Sequence, residues 1–488
     1  MPLMSRRFLC VYGHFYQPPR EDALTGKVPQ EPGAAPYANF NEKITAECYR
    51  PNAEAGNFDD LSFDLGPTLA AWLEQHAPDV YARIIDADRR SVQRSGHGNA
   101  LAQVYNHTIL PLATARDKRT QVVWGMMDFQ HRFGHVPEGM WLAETAADLE
   151  SLEALAEAGI SYTVLAPWQA AEDIDPTEPY WVCLPSGRSI AAFFYNAPLS
   201  GGVSFDWNMT NNADLFAARY LPWHLNSWKD QHAEPQLITV ATDGELYGHH
   251  KPWRDKFLTH LVRAGAPAYG FEVCSLGAYL AHFPPTREVR LQTPSSWSCH
   301  HGVLRWGDGC ACTEGDTSWK PALRRALNRL GECGDALFER QMAPLVKDAW
   351  AARNEYLALR SGWMKREAFW AQHGPDGRVP QNEIAERRAM QLLEAQFYQQ
   401  WMYTSCGFFF EDMDRIEPRN DIAFARRAIS LYWQATHIDL QSGFLADLAE
   451  AYSWRTGRTG ADLYRQMPAV RQDELPAMLS PVMQGSLV

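Results

Sequence analysis

The sequence contains no run of about 18 uncharged apolar residues, the length a helix needs to cross a bilayer, so neither a membrane span nor a membrane partner is expected. It also lacks any Lys/Arg cluster with interleaved aromatics. Its net charge of −13 and pI near 5.7 would repel a phosphate backbone, which argues against nucleic acid as a partner. There is no internal repeat and no low-complexity segment. The apolar stretch Phe8–Tyr12 that follows Arg6-Arg7 is too short for a signal-peptide core and has no small-residue cleavage site, so it reads as a first core strand. The nine cysteines are an odd number, which fits reduced thiols and a cytoplasmic location better than a disulfide framework.

What the sequence does have is size and aromatic surface. Its 488 residues, 46% hydrophobic and 21% charged, suffice for two or three domains around real cores, and no feature specifies an oligomeric state. Aromatic residues reach 12%, with 18 Trp and 19 Tyr, and flat rings with polar handles suit stacking on sugars as well as packing cores.

Short apolar runs alternate with amphipathic helical stretches over residues 1–294, the pattern of βα units around a parallel sheet or barrel. Ala146–Ala158 has helical spacing, Gly159 is suited to a left-handed stop, and Ile160–Leu165 is a β-rich run. Gln236–Ala241 reads as a strand that empties into Thr242-Asp243-Gly244-Glu245, and Tyr180–Tyr195 as an inserted hairpin. Residues 295–320, crowded with Trp, His, Cys and Gly, are expected to form a site-lining loop. Residues 321–466 form a helical domain with helices over Pro321–Arg329, Pro344–Arg360, Asn382–Tyr403 and Asp421–His437, and residues 467–488 form a tail.

Four polar clusters fall where strands should end. Glu144 closes Gly139–Glu144, although a lone acid in a first helical turn is also stabilised by the helix dipole alone. Asp243 opens Thr-Asp-Gly-Glu-Leu-Tyr-Gly-His-His, with two carboxylates and two imidazoles behind a buried-looking strand. Gly13–Arg20 and the stretch from Gly96 through Asn106-His107 to Pro111 supply the other two. Barrel enzymes gather reactive groups at strand C-termini, so one shared site accounts for all four.

These motifs resemble those of glycoside hydrolase family 57, in the bacterial branch with a DUF3536-type C-terminal region. The resemblance lies in His14-Phe15-Tyr16-Gln17-Pro18, Asn106-His107 to Leu112, Gly139 to Glu144 and Thr242 to Gly248. It extends to Ser296–Val303, Arg305-Trp306, Cys310-Ala311-Cys312 and Tyr403–Gly407, and so spans residues 10–435. It implies an α/β fold, an incomplete seven-stranded (β/α) barrel followed by an α-helical domain, and a retaining enzyme acting on an oligo- or polysaccharide, namely an α-glucan. On this sequence it implies Glu144 as nucleophile and Asp243 as acid/base. One carboxylate attacks the anomeric carbon while the other protonates the leaving oxygen, so Asp243 should have a raised pKa. His14, Gln17, His107, Trp141, Glu245, His249, Trp253, Trp297, His301 and Trp306 are the candidate substrate-binding residues. Where many members have His-Gln-Pro, this chain has Tyr16-Gln17-Pro18, leaving His14 as the imidazole of that strand end. Amylase, 4-α-glucanotransferase and branching activities all remain open.

No cofactor and no metal is expected. Cys299, His300, His301, Cys310, Cys312 and Cys406 have zinc-type side chains, but Cys-x-Cys is not the usual knuckle spacing. His131 and His135 stand four apart, yet Gly134 and Pro137 break the helix they would need. Two rival functions stay in view: a metal-dependent polysaccharide deacetylase using Asp243, His249 and His250, and a non-catalytic glycan-binding protein.

Overall fold

The computed structural model describes residues 6–23, 26–380 and 382–468. The tail expected from residue 467 lies, from 469 onward, outside the described residues. The described residues divide into two compact units, one of residues 6–17, 30–111 and 128–300, the other of 18–23, 26–29, 112–127, 301–380 and 382–468.

The first unit is built on a curled parallel sheet. Strand β1 (Arg7–Phe15) pairs with β2 (Ser62–Leu65) on one side, and β2 continues to β3 (Ala100–Gln103) and β4 (Met140–Trp141). A parallel bridge between Gly139 and Tyr162 carries the order on to β5 (Tyr162–Leu165). After β6 (Tyr180–Cys183), β7 (Ser189–Phe194) pairs parallel with β5. On the other side of β1 runs β8 (Gln236–Asp243), and the short β9 (Phe271–Val273) pairs with the start of β1. Seven parallel strands in the order β8-β1-β2-β3-β4-β5-β7, with helices between them, make the incomplete (β/α) barrel that the motifs implied.

The hairpin expected over Tyr180–Tyr195 exists as antiparallel β6 and β7, but it is not an insertion, because β7 is itself a barrel strand. After the exposed Ser189 its sequence Ile-Ala-Ala-Phe-Phe is apolar and buried throughout, as a strand covered on both faces must be. The helix expected from Ala146 begins at Leu149, because the Asp148 side chain accepts from the Ser151 amide and sets the N-cap.

Strand periodicity decides what reaches the site. Phe8, Cys10 and Tyr12 of β1 share one buried cluster with Leu101, Trp141, Tyr162, Val164, Phe193, Leu237 and Ala241. Successive side chains alternate between faces, so His14 is the next interior residue of β1 and Asp243 the next of β8. The pairing register then sets Asp64, His14 and Asp243 side by side across β2, β1 and β8, all at strand C-terminal ends. Neighbouring strands are about 4.8 Å apart, so three ionisable groups stand in one row.

The second unit is helical, with long helices over Trp319–Met342, Ala349–Arg360, Glu383–Trp401 and Ile416–Thr436. Two of these start later than the sequence pattern suggested, at residues where Asp348 and Asn382 accept from backbone amides as N-caps. Trp306, a candidate substrate-binding residue, is fully buried in this unit. Its carbonyl receives the Arg324 guanidinium and its ring lies against Phe409, so it is a packing residue. Arg353 is likewise fully enclosed, donating to Asp117, Gln396 and Thr120. No helix among the described residues is long and apolar enough to cross a membrane.

Removing one partner of a buried ion pair strands the other charge. Arg353→Met is therefore expected to destabilise this unit by about 3–5 kcal/mol, read as a lower denaturant midpoint with unchanged helix content in the native baseline.

Candidate active site

Glu144 sits in a short turn, Ala143–Thr145, directly after β4. Its φ of 57° is left-handed, and Thr145 follows with φ 48°, an arrangement that L-residues adopt at a cost and that clusters at functional sites. The neighbouring chain over-determines it. Ala147 and Ser295 exchange backbone hydrogen bonds, and Gln169 bridges Thr145 to the Ser295 hydroxyl. One carboxylate oxygen of Glu144 accepts from Trp297 Nε1 at 2.9 Å and from Ser298 Oγ at 2.6 Å, and the Trp297 amide donates to the Glu144 carbonyl. Both side-chain bonds fall on Oε2, so among the described residues Oε1 is left unbonded.

Asp243 ends β8. Its carboxylate reaches solvent, yet the protein packed around it raises its pKa to about 6. The His14 charge opposes this, while Glu144 and Asp64 push the same way as burial. Glu245, two residues on, is buried and donated to by the Tyr49 hydroxyl at 2.6 Å, which itself accepts from Gln17. Burial carries Glu245 up to about 7, against the pull of the Tyr49 bond.

Between these acids stands His14. Burial alone would make it neutral, but its Nδ1 lies 2.8 Å from Asp64 Oδ2 and holds its pKa near 9. Asp64 is wholly enclosed, and burial raises its pKa while His14 and the Tyr12 hydroxyl oppose that. His107 lies 3.2 Å away, Nε2 to Nε2, and both burial and the His14 charge keep it neutral. The proton between the two nitrogens therefore belongs to His14, and His107 accepts. The left-handed backbone of His107, φ 53°, and its stack on Tyr16 at 3.9 Å fix the ring.

Of the residues expected at the site, His14, Gln17, His107, Trp141, Glu144, Asp243, Glu245 and Trp297 gather in the first unit. Trp141 differs from expectation. It is fully buried, stacked on Tyr12 and His14 and edge-on to Trp297, so it backs the site and does not wall a subsite. His249 is paired through Nδ1 with Glu47. Trp253 is 69% exposed with φ 68°, its ring against the Lys256 ammonium, and no ring contact or hydrogen bond among the described residues ties it to the cluster. His301 belongs to the second unit, with Nδ1 near Cys312.

Sequence reasoning missed Asp64, Tyr49, Gln103 and Ser298. Asp64 carried a signal, a lone charge inside the strand Ser-Phe-Asp-Leu. Gln103, the register partner of Trp141, is buried with both amide atoms lacking a partner among the described residues, and the Trp141 Nε1 is in the same position. Such orphaned polar atoms at strand ends ask for a hydrogen-bonding ligand.

The pattern has known counterparts. A family model described as "Glycosyl hydrolase family 57" matches residues 34–292, more than half the chain. The chain belongs to glycosyl hydrolase family 57. Residues 316–478 match a second model, "Domain of unknown function (DUF3536)". "Alpha-amylase 1" of Dictyoglomus thermophilum is 32% identical over 98 residues, 20% of this chain and only 13% of that protein's length. Among solved structures, an exo-type maltose-forming amylase from Pyrococcus sp. ST04 superposes with TM-score 0.70 at 13% identity, over 90% of this chain and 82% of that one. A family 57 branching enzyme from Pyrococcus horikoshii gives 0.60 at 14%, over 96% and 98%. A 4-alpha-glucanotransferase from Thermococcus litoralis gives 0.55 at 17%, over 88% and 60%. At these identities the superpositions speak to fold.

The raised pKa of Asp243 has a signed consequence for stability. A carboxyl group whose folded pKa lies above its unfolded 3.8 stabilises the fold below that value and loses the contribution as pH rises through about 6. Asp243→Asn should therefore melt at a higher temperature than the wild type at pH 7, with the difference vanishing near pH 4. Thermal scans across that range check it.

Proposed function

We propose that this family 57 chain cleaves or transfers α-glucosidic bonds of an α-glucan with retention of configuration, with Glu144 as nucleophile and Asp243 as acid/base. One observation carries the reading: a carboxyl group lifted to about 6 shares a site with a carboxylate held by two donors on one oxygen and bare on the other. Those are the distinct environments that the two roles demand.

In the first half-reaction Glu144 Oε1 attacks the anomeric carbon while protonated Asp243 gives its proton to the departing glycosidic oxygen. The bonds to Trp297 and Ser298 keep the carboxylate rotor from turning, so attack comes from a fixed atom. In the second half Asp243, now ionised, takes a proton from water or a sugar hydroxyl, which displaces Glu144 and regenerates the acid. His14 supplies a fixed positive charge beside Asp243. Gln103, whose amide atoms lack a partner among the described residues, offers hydrogen-bonding atoms for a sugar hydroxyl. The α-glucan class is supported by the amylase, branching and glucanotransferase activities named for the relatives.

Incubation with maltooligosaccharides, amylose and glycogen, reading product length, branch points and the anomer first released, is the direct test. Retained α-configuration and loss of turnover in Glu144→Gln with sugar binding preserved are the expected results, and Asp243→Asn should cost about 10²–10⁴ in kcat. Unchanged turnover in Glu144→Gln would overturn the assignment, and acetate release from an acetylated glycan would favour a deacetylase instead.

The pH profile adds a signed check. Activity should fall as pH rises through the Asp243 titration, and His14→Gln, by removing the charge that favours the ionised carboxylate, should move that alkaline limb to higher pH.

A further inference from the structure

The chain from Cys299 to Cys312 folds back so that four donors converge: the thiols of Cys299, Cys310 and Cys312 and the His301 imidazole all lie within 4.8 Å of one another. From these positions we infer that this loop holds a structural zinc ion in a Cys3His site, independently of the roles given to Glu144 and Asp243.

The chemistry of the set fits that ion. Zinc takes four thiolate or imidazole ligands in a tetrahedron, at about 2.3 Å to sulfur and about 2.0–2.1 Å to nitrogen, which puts ligand atoms roughly 3.6 Å apart. Cys312 Sγ and His301 Nδ1 are 3.4 Å apart. Neither Cys406 nor His300 is in the group, although both looked equivalent in the sequence. With four protein donors the coordination would be closed, which is the structural rather than the catalytic kind of zinc site.

The loop is built to hold this geometry. Gly302 and Gly309 take left-handed φ values of 76° and 81°, which reverse the chain between His301 and the Cys-x-Cys pair. The Gly309 amide returns to the Leu304 carbonyl at 2.7 Å, and the Thr313 amide to the Cys310 carbonyl at 3.2 Å. From the helix Trp319–Met342, Lys320 Nζ donates to the Arg305 carbonyl and the Thr313 hydroxyl, and Arg324 to the Trp306 carbonyl. The Arg305 guanidinium donates to the Cys312 carbonyl. Three thiolates around a divalent ion leave one net negative charge, and Lys320, Arg305 and Arg324 put cations on the segment that carries it. The Cys-x-Cys spacing that argued against a metal matters little here, because those two thiols need not act as a knuckle: Cys299 and His301 complete the tetrahedron from the other arm of the turn.

Metal analysis of the full-length protein, expressed with zinc and freed of loosely bound ions by gel filtration, tests the site. About one zinc per chain is expected, and cobalt in its place should give intense visible bands and thiolate-to-cobalt charge-transfer absorption. The double variant Cys310→Ser/Cys312→Ser should fall to background metal, while Cys406→Ser and His300→Ala keep the full equivalent. Because the wild-type content is itself decisive, the test does not depend on the double variant folding. A folded wild type with no zinc above background overturns the proposal, as does a Cys310–Cys312 disulfide found by mass spectrometry after alkylation without reduction. Loss of metal in Cys406→Ser equal to that in the double variant would overturn this ligand set.

Discussion

The buried carboxylate of Asp64 is the constraint around which the first unit is arranged. A charge removed from water costs several kcal/mol unless it is paired and hydrogen-bonded. In the centre of a parallel sheet its partners can come only from adjacent strands. Tyr12 and His14, two residues apart on the same face of β1, supply both. Meeting that demand leaves His14 cationic and aimed at His107, which is thereby kept neutral, and places a positive charge in register with Asp243. The charge on His14 follows from satisfying one enclosed acid, while burial does most of the rest at His107, Asp243 and Glu245.

That pattern opposes two tendencies at Asp243. Surrounding protein and neighbouring acids favour the protonated form, and His14 favours the ionised form. Such opposition suits the acid/base role proposed for Asp243, since a group that gives and takes a proton within one cycle works best when the two tendencies nearly match. Glu144 is treated differently: its backbone is strained, and its carboxylate is restrained by donors from a segment more than 150 positions along the chain. The turn that carries it gains little from local propensity and depends on Gln169 and Ser295 to persist.

Much of this was legible in the sequence because strand ends advertise themselves. Apolar runs broken by Thr-Asp-Gly-Glu or by Leu-Ala-Glu put Asp243 and Glu144 at strand ends, the resemblance to family 57 singled them out, and alternation along Phe8–His14 follows from elementary strand geometry. The hidden parts depended on register. Asp64 and Gln103 are single polar residues in short strands, and only the pairing of β2 with β1 and of β3 with β4 reveals what they face. Tryptophans misled for a related reason. Trp141 and Trp306 stand beside motif residues but are wholly enclosed, since a ring that can stack on sugar can as readily fill a core. The cysteines could not be grouped by spacing alone, because proximity between 299–301 and 310–312 is created by two glycine reversals and not by sequence distance.

The exchange of backbone hydrogen bonds between Ala147 and Ser295, with Trp297 and Ser298 just beyond, joins two distant segments into one working part. Each half depends on the other: residues 139–147 carry Glu144, and residues 295–298 carry the donors that hold its carboxylate. Any attempt to graft this site onto another barrel would have to move both pieces together. Likewise, whatever else varies in the chain between them, Gln169 has to stay in place, because its side chain ties Thr145 to the Ser295 hydroxyl.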